Sequence, residues 1–222
     1  MSDKKYTFDD LVDILAKLRG ENGCPWDRVQ THESLKRYFI EETYEALEAL
    51  DSGDSGKFAD ELGDVLLQIV FHAQIAKDAG TFTTDDVLRC ICQKMIDRHP
   101  HVFGNVQVNT PEQVVSNWDE IKKREKGQSS HGEVLADISR YLPSLMRASK
   151  VIQKEQKTGK LTKEIEQVHN AIQAQASKGQ NVDIGGLLFE VVKLANITNQ
   201  HPELALTEFV DRYIEGVRHA EN

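Results

Sequence analysis

Leu35-Lys36-Arg37-Tyr38-Phe39-Ile40-Glu41-Glu42-Thr43-Tyr44-Glu45-Ala46-Leu47-Glu48-Ala49-Leu50, answered after a turn by Lys57-Phe58-Ala59-Asp60-Glu61-Leu62-Gly63-Asp64-Val65-Leu66-Leu67-Gln68-Ile69, decides the fold class of this chain of 222 residues. In both halves apolar side chains recur with the 3.6-residue period of an α-helix, not with the strict alternation of a strand. Between them, Asp51-Ser52-Gly53-Asp54-Ser55-Gly56 is short and built of turn formers, so the two helices should fold back as an antiparallel hairpin.

The same period runs through the rest of the chain. It predicts helices over about 7–19, 31–50, 57–79, 84–98 and 111–126, and then over about 142–156, 163–177, 183–199 and 202–219. The 5 prolines and 14 glycines fall mostly between these stretches, which makes the fold all-α, a set of helical bundles. Gly127-Gln128-Ser129-Ser130-His131-Gly132 breaks the pattern with small polar residues, so residues 127–132 are expected to link a first domain (1–126) to a second (133–222). A faint repeat joins the two. Glu61-Leu62-Gly63-Asp64-Val65-Leu66-Leu67 is echoed by Asp183-Ile184-Gly185-Gly186-Leu187-Leu188-Phe189, and Tyr38-Phe39-Ile40-Glu41-Glu42 by Ile165-Glu166-Gln167-Val168. The apolar frame survives in the echo and the acids do not, so the second half reads as a degenerate copy of the first.

Composition narrows the function. With 39% hydrophobic and 28% charged residues the chain can bury a core, which excludes long disorder. A net charge of −9 repels a phosphate backbone and makes a nucleic acid polymer a poor partner. No apolar run approaches the length needed to span a bilayer, and Met1-Ser2-Asp3-Lys4-Lys5 does not look like a signal peptide, so neither membrane nor export is expected. The 3 cysteines form no Cys-x-x-Cys pair and the 8 histidines are scattered. That argues against zinc and fits a reducing, cytoplasmic setting.

The chemistry lies in two acidic clusters. Glu42 and Glu45, and likewise Glu61 and Asp64, are three residues apart, so each pair shares one helix face. The hairpin brings the four carboxylates together. At 100° per residue Glu42 falls among Leu35, Phe39, Ala46 and Ala49, on the apolar side of its helix. Glu61, Asp64, Gln68 and His72 form one polar line beside Val65 and Ile69. Anions taken out of water need a counter-charge, and no Lys or Arg shares either stripe. A hard divalent cation, Mg²⁺ or alternatively Mn²⁺, is the partner that oxygen ligands select.

These motifs carry a resemblance. Glu-Glu-x-x-Glu followed by Glu-x-x-Asp, preceded by Gly23-Cys24-Pro25-Trp26-Asp27 and followed by His99-Pro100-His101-Val102-Phe103 and Trp118-Asp119-Glu120-Ile121-Lys122, resembles the MazG family of nucleoside triphosphate pyrophosphohydrolases. The resemblance runs from about Leu11 to Lys126 and more weakly beyond. It implies an all-α fold, a Mg²⁺ site in a bundle built by association of subunits, and cleavage of nucleoside triphosphates to the monophosphate and pyrophosphate. It implies Glu42, Glu45, Glu61 and Asp64 as metal ligands, with Glu41, Glu42 and Glu45 carrying the catalysis. Glu41, on the adjacent flank, is assigned to water activation or nucleotide orientation. Lys57, Lys94, Arg98 and Trp118 match positions that meet the nucleotide, with a solvated surface charge the alternative for each of the three cations, and a homodimer or higher homo-oligomer is implied as well.

Other readings stand beside it. Trp26 and Trp118 fit either a base-stacking role or a core, and His72 fits either a hydrogen-bonded core histidine or support to the acidic line. His99 and His101 bracket Pro100 and mark the end of a helix, a turn role that stands ahead of a ligand role. A di-iron bundle needs Glu-x-x-His on two helices, and only Glu166 and His169 supply it. A non-catalytic scaffold or sensor that binds metal and nucleotide is the remaining alternative. Control of nucleotide pools, or their sanitation, is the expected physiological setting.

Overall fold

The computed structural model describes residues 5–159 and 161–220, which contain helices and turns and no strand. Two compact units divide at Trp118 and Asp119, ahead of the break expected at residues 127–132. No helix among the described residues is long and apolar enough to cross a membrane.

In the first unit, α1 (Phe8–Arg19), α2 (Pro25–Val29), α3 (His32–Ser52), α4 (Ser55–Asp78), α5 (Thr84–Arg98) and α6 (Pro100–Phe103) precede α7 (Pro111–Glu125), which continues into the second unit. Thr7, Thr31 and Thr83 each start a helix by accepting from the backbone N–H three residues on, while that residue's side chain accepts from or returns to the cap. The hairpin turn is tighter than the sequence suggests. α3 runs to Ser52, Gly53 takes a left-handed φ of 72°, and the Asp54 carboxylate accepts from Gly56 N and Lys57 N at 2.9 and 3.1 Å to open α4. Between α1 and α2, a Cβ on Gly23 would stand 2.1 Å from the Leu18 carbonyl oxygen, so only glycine lets Cys24 N reach that oxygen at 2.7 Å.

The core gathers at one end of the hairpin. Leu15 of α1 meets Leu35 of α3 and Val70, Phe71 and Ile75 of α4, with Phe8, Leu11, Val12, Tyr38 and Leu67 packed around them. Arg19 fastens this end: its guanidinium donates to Asp78 at 2.8 Å and to the Asp27 and Gln30 carbonyls at 2.6 and 3.2 Å, and it lies over the Phe71 ring. The other end, towards Gly53, is not covered in this way. There Ile40, Tyr44, Leu50 and Leu62 remain exposed, and Phe39, which the helical wheel places on the buried side, keeps 40% of its surface.

The second unit is built from the rest of α7, then α8 (His131–Ala136), α9 (Ser144–Lys157), α10 (Ile165–Ala176), α11 (Ile184–Ile197) and α12 (Pro202–Ala220). α11 packs on α9, α10 and α12. Ile152, Val168 and Val192 are its fully buried centre, and Ser149 Oγ donates to Asn196 Oδ1 at 2.7 Å to tie α9 to α11. Lys154 and Lys157 of α9 both bond the Asp119 carboxylate of α7.

Candidate metal and nucleotide site

The α3–α4 hairpin brings the carboxylates together as the spacing requires. One oxygen each from Glu42, Glu45 and Glu61 lies within 4.8 Å of the others, Glu42 and Glu61 half-buried and Glu45 exposed. Asp64, half-buried one turn after Glu61, is the strongest charge acting on Glu42. Burial first, then the charges of Asp64, Glu45, Glu61 and Glu41, raises the Glu42 carboxyl above its ordinary range. Every one of those charges is negative. The group is therefore an anionic concentration whose compensation must come from outside the four side chains, and an all-oxygen set of this size suits a hard divalent cation.

The basic residues stand elsewhere. Lys57, at the start of α4, points to Glu48 at 3.9 Å across the turn, both exposed, instead of into the cluster. Glu41 is exposed on the flank next to Glu42, and its charge acts on Arg37, one turn earlier, whose exposed guanidinium is raised chiefly by its bond to the Tyr38 hydroxyl. Lys94 is exposed on α5, which packs against α4. Arg98 is buried, with its guanidinium 5.1 Å from the centre of the Trp118 ring. The His99 ring meets the same indole edge-on at 5.1 Å, and its Nδ1 bonds the Met95 carbonyl oxygen at 2.6 Å. The structure thus joins Arg98 to Trp118, and joins the carboxylates to one another.

Trp26 keeps half of its surface while its ring meets Tyr38 and Phe71 edge-on, so it belongs to the rim of the core. His72 is a hydrogen-bonded histidine, with its Nδ1 2.8 Å from Nδ1 of His32. Sequence reasoning passed over His32, because only the register of the hairpin brings it to His72. It also passed over the state of Gln68, which is buried between Asp64 and His72 with its Oε1 unpartnered. Its place on the polar line beside Val65 and Ile69 was the signal available.

Residues 30–103 match the family model of the MazG nucleotide pyrophosphohydrolase domain, a stretch that holds all four carboxylates. Over its whole length the chain is 38% identical to the nucleoside triphosphate pyrophosphohydrolase/pyrophosphatase MazG of Thermotoga maritima, covering 88% of that protein. It is 36% identical to the nucleoside triphosphate pyrophosphohydrolase of Escherichia coli, over 96% of this chain and 87% of the other. An uncharacterized Bacillus subtilis protein, YabN, is 50% identical over 66% of this chain, which spans 30% of it.

Proposed function

Because the chain belongs to the MazG family, we propose that it hydrolyses nucleoside triphosphates to nucleoside monophosphate and pyrophosphate, with the carboxylates of α3 and α4 as the seat of the reaction. The observation that carries this reading is the convergence of Glu42, Glu45 and Glu61, with Asp64 beside them, in an acidic group in which the charges acting on Glu42 are all negative.

In this reading Glu42, Glu45, Glu61 and Asp64 hold Mg²⁺, for which Mn²⁺ can substitute, and Glu41 stands on the exposed flank to orient the attacking water and take its proton. Bound Mg²⁺ supplies positive charge for the triphosphate and lowers the pKa of a water. Attack on the α-phosphorus forms a bond to the water oxygen and breaks the bond to the bridging oxygen, which leaves with pyrophosphate. Lys57 and Lys94 answer the phosphate charge, and Arg98 and Trp118 form one stacked unit at the end of α5 that faces the nucleotide. Lys57 must leave Glu48 to do so, a small cost for an exposed pair at 3.9 Å.

The same reading assigns turnover to residues 1–126 and makes 133–222 a degenerate second copy. It also makes the protein a homo-oligomer. Ile40, Tyr44, Leu50 and Leu62 beside the carboxylates are apolar groups that a second subunit would cover, and closure of the bundle would dry the site.

The experiment is pyrophosphate release from a panel of ribo- and deoxyribonucleoside triphosphates with Mg²⁺, comparing the intact chain with Glu42→Gln. Equal amounts of monophosphate and pyrophosphate, abolished by the substitution, support the reaction and the site together. Binding of Mg²⁺ and nucleotide without turnover across the panel would instead support the sensor or scaffold.

A further inference from the structure

We infer that His32 and His72 are positioning residues for the carboxylate site: a single proton shared between their Nδ1 atoms holds the start of α3 on α4 and so sets how Glu42 and Glu45 meet Glu61 and Asp64. The inference rests on the reading of those carboxylates as the cation site.

Their planes differ by 8°, their centroids stand 5.1 Å apart, and the two Nδ1 atoms are 2.8 Å apart. Rings stacked face to face could not bring one atom pair so much closer than their centres. The two imidazoles therefore lie end to end in one plane, Nδ1 to Nδ1, which is the alignment of an N–H···N hydrogen bond. One ring donates and the other accepts, so the neutral pair needs opposite tautomers and a singly protonated pair keeps the bond. Two imidazolium rings would oppose two N–H donors at the same distance and break it.

The bond sits where it can act on the site. His32 is the first residue of α3, directly after its Thr31 cap, and Glu42 and Glu45 follow on that helix. On α4, Glu61, Asp64, Gln68 and His72 succeed one another at spacings of three and four, so His72 lies on the line that carries the ligands. Phe39 meets the His72 ring edge-on at 6.1 Å and Phe82 lies 6.5 Å from His32, which shields the bond with apolar surface. A tilt of α3 on α4 at this end is transmitted to the carboxylates by two rigid helices.

Burial, and then the neighbouring His32, lowers the pKa of His72, while Glu33 acts in the opposite sense. His32 and Glu33, both on α3, are the charged groups that act on His72 among the described residues, and α1 and α5, which also pack on α4, add none. The neutral form is thus favoured in the folded protein. The contact is whole above the ordinary histidine range and is lost as pH falls below it.

The test uses the full chain, Mn²⁺ as the probe and two variants. His72→Phe keeps a ring and removes the bond. His32→Asn places an amide that does not titrate where the Nδ1 stood. Outer partners that orient metal ligands are typically worth 10–100-fold in affinity or activity. His72→Phe should therefore weaken Mn²⁺ binding about tenfold at neutral pH and lower kcat similarly, with little change in nucleotide KM. His32→Asn should keep neutral-pH affinity near that of the parent and flatten its decline in acid. If His72→Phe binds Mn²⁺ like the parent, or His32→Asn retains the parent's acid decline, the positioning role is overturned. Should His72→Phe fail to fold, the His32→Asn profile decides alone. Absence of turnover in every form, with Mn²⁺ affinity still following the histidines, would strike the proposed reaction and leave this pairing in place.

Discussion

Two helical hairpins, α3–α4 and α10–α11, start from similar local chemistry and end in different physics. Each second helix opens on an aspartate cap, Asp54 for α4 and Asp183 for α11, whose carboxylate accepts from backbone N–H groups of the first turn. In α10–α11 the space is filled: Val168 and Val192 are fully buried, and the buried Lys193 ammonium is answered by Glu190 at 2.7 Å. In α3–α4, Glu42, Glu61 and Asp64 are half out of water, and the charges that act on Glu42 are those of other carboxylates. Uncompensated carboxylates cost stability, and selection has no structural reason to keep them. On the proposed reading the first hairpin is a site and the second a core.

The sharpest way to break this contrast is to remove one acid from each hairpin. Glu61→Gln or Asp64→Asn should lower pyrophosphate release about 1,000-fold, roughly 4 kcal/mol of barrier, since charge stabilisation by a metal is worth several kcal/mol. Glu166→Gln, exposed on α10, should leave the rate unchanged. Equal losses in the two would end the assignment of turnover to the first hairpin. The reverse experiment puts an acid where there is none. Val168→Glu places a charge in a site with no exposure, and should cost about 3 kcal/mol or more in chemical denaturation. A loss below about 1 kcal/mol would show that α10–α11 tolerates a carboxylate as α3–α4 does.

Much of this was legible because it depends on short range. Period and caps located α5, which spans Thr84–Arg98 as read from the sequence, and the long helices elsewhere to within a few residues. The carboxylates met because i, i+3 spacing and a hairpin leave them little choice. The helices α2, α6 and α8 escaped because four to six residues are too few to show a period. The contact between His32 and His72 escaped because it depends on the register between two helices. The contact of Arg98 with Trp118 was not legible, because the return of α7 to the end of α5 is a tertiary fact. Phe39 read as core, and it is partly exposed because α1 reaches only the far end of the hairpin.

The smallest effect distinguishes the two kinds of carboxylate by the sign of their pH dependence. Burial works against the charged form of Asp119, but hydrogen bonds and charges from Lys154 and Lys157 outweigh it and hold its pKa below the ordinary value. Its unfolded form binds the proton more readily, so the stability it contributes is present above the ordinary aspartate range and is lost as pH falls through its lowered value. Glu42 is the opposite case. Its folded pKa is raised, so the folded state binds the proton more readily, and stability falls as pH rises from the ordinary value of 4.5 towards the raised one. Thermal unfolding without divalent cation should therefore show Glu42→Gln as more stable than the parent at neutral pH and no less stable in acid, whereas Asp119→Asn should be less stable at neutral pH. Mg²⁺ at ten times its dissociation constant should return about 1.4 kcal/mol to the parent and little to Glu42→Gln. If Glu42→Gln is instead destabilised at neutral pH without cation, the carboxylate is a structural partner and the contrast between the hairpins fails at its first residue.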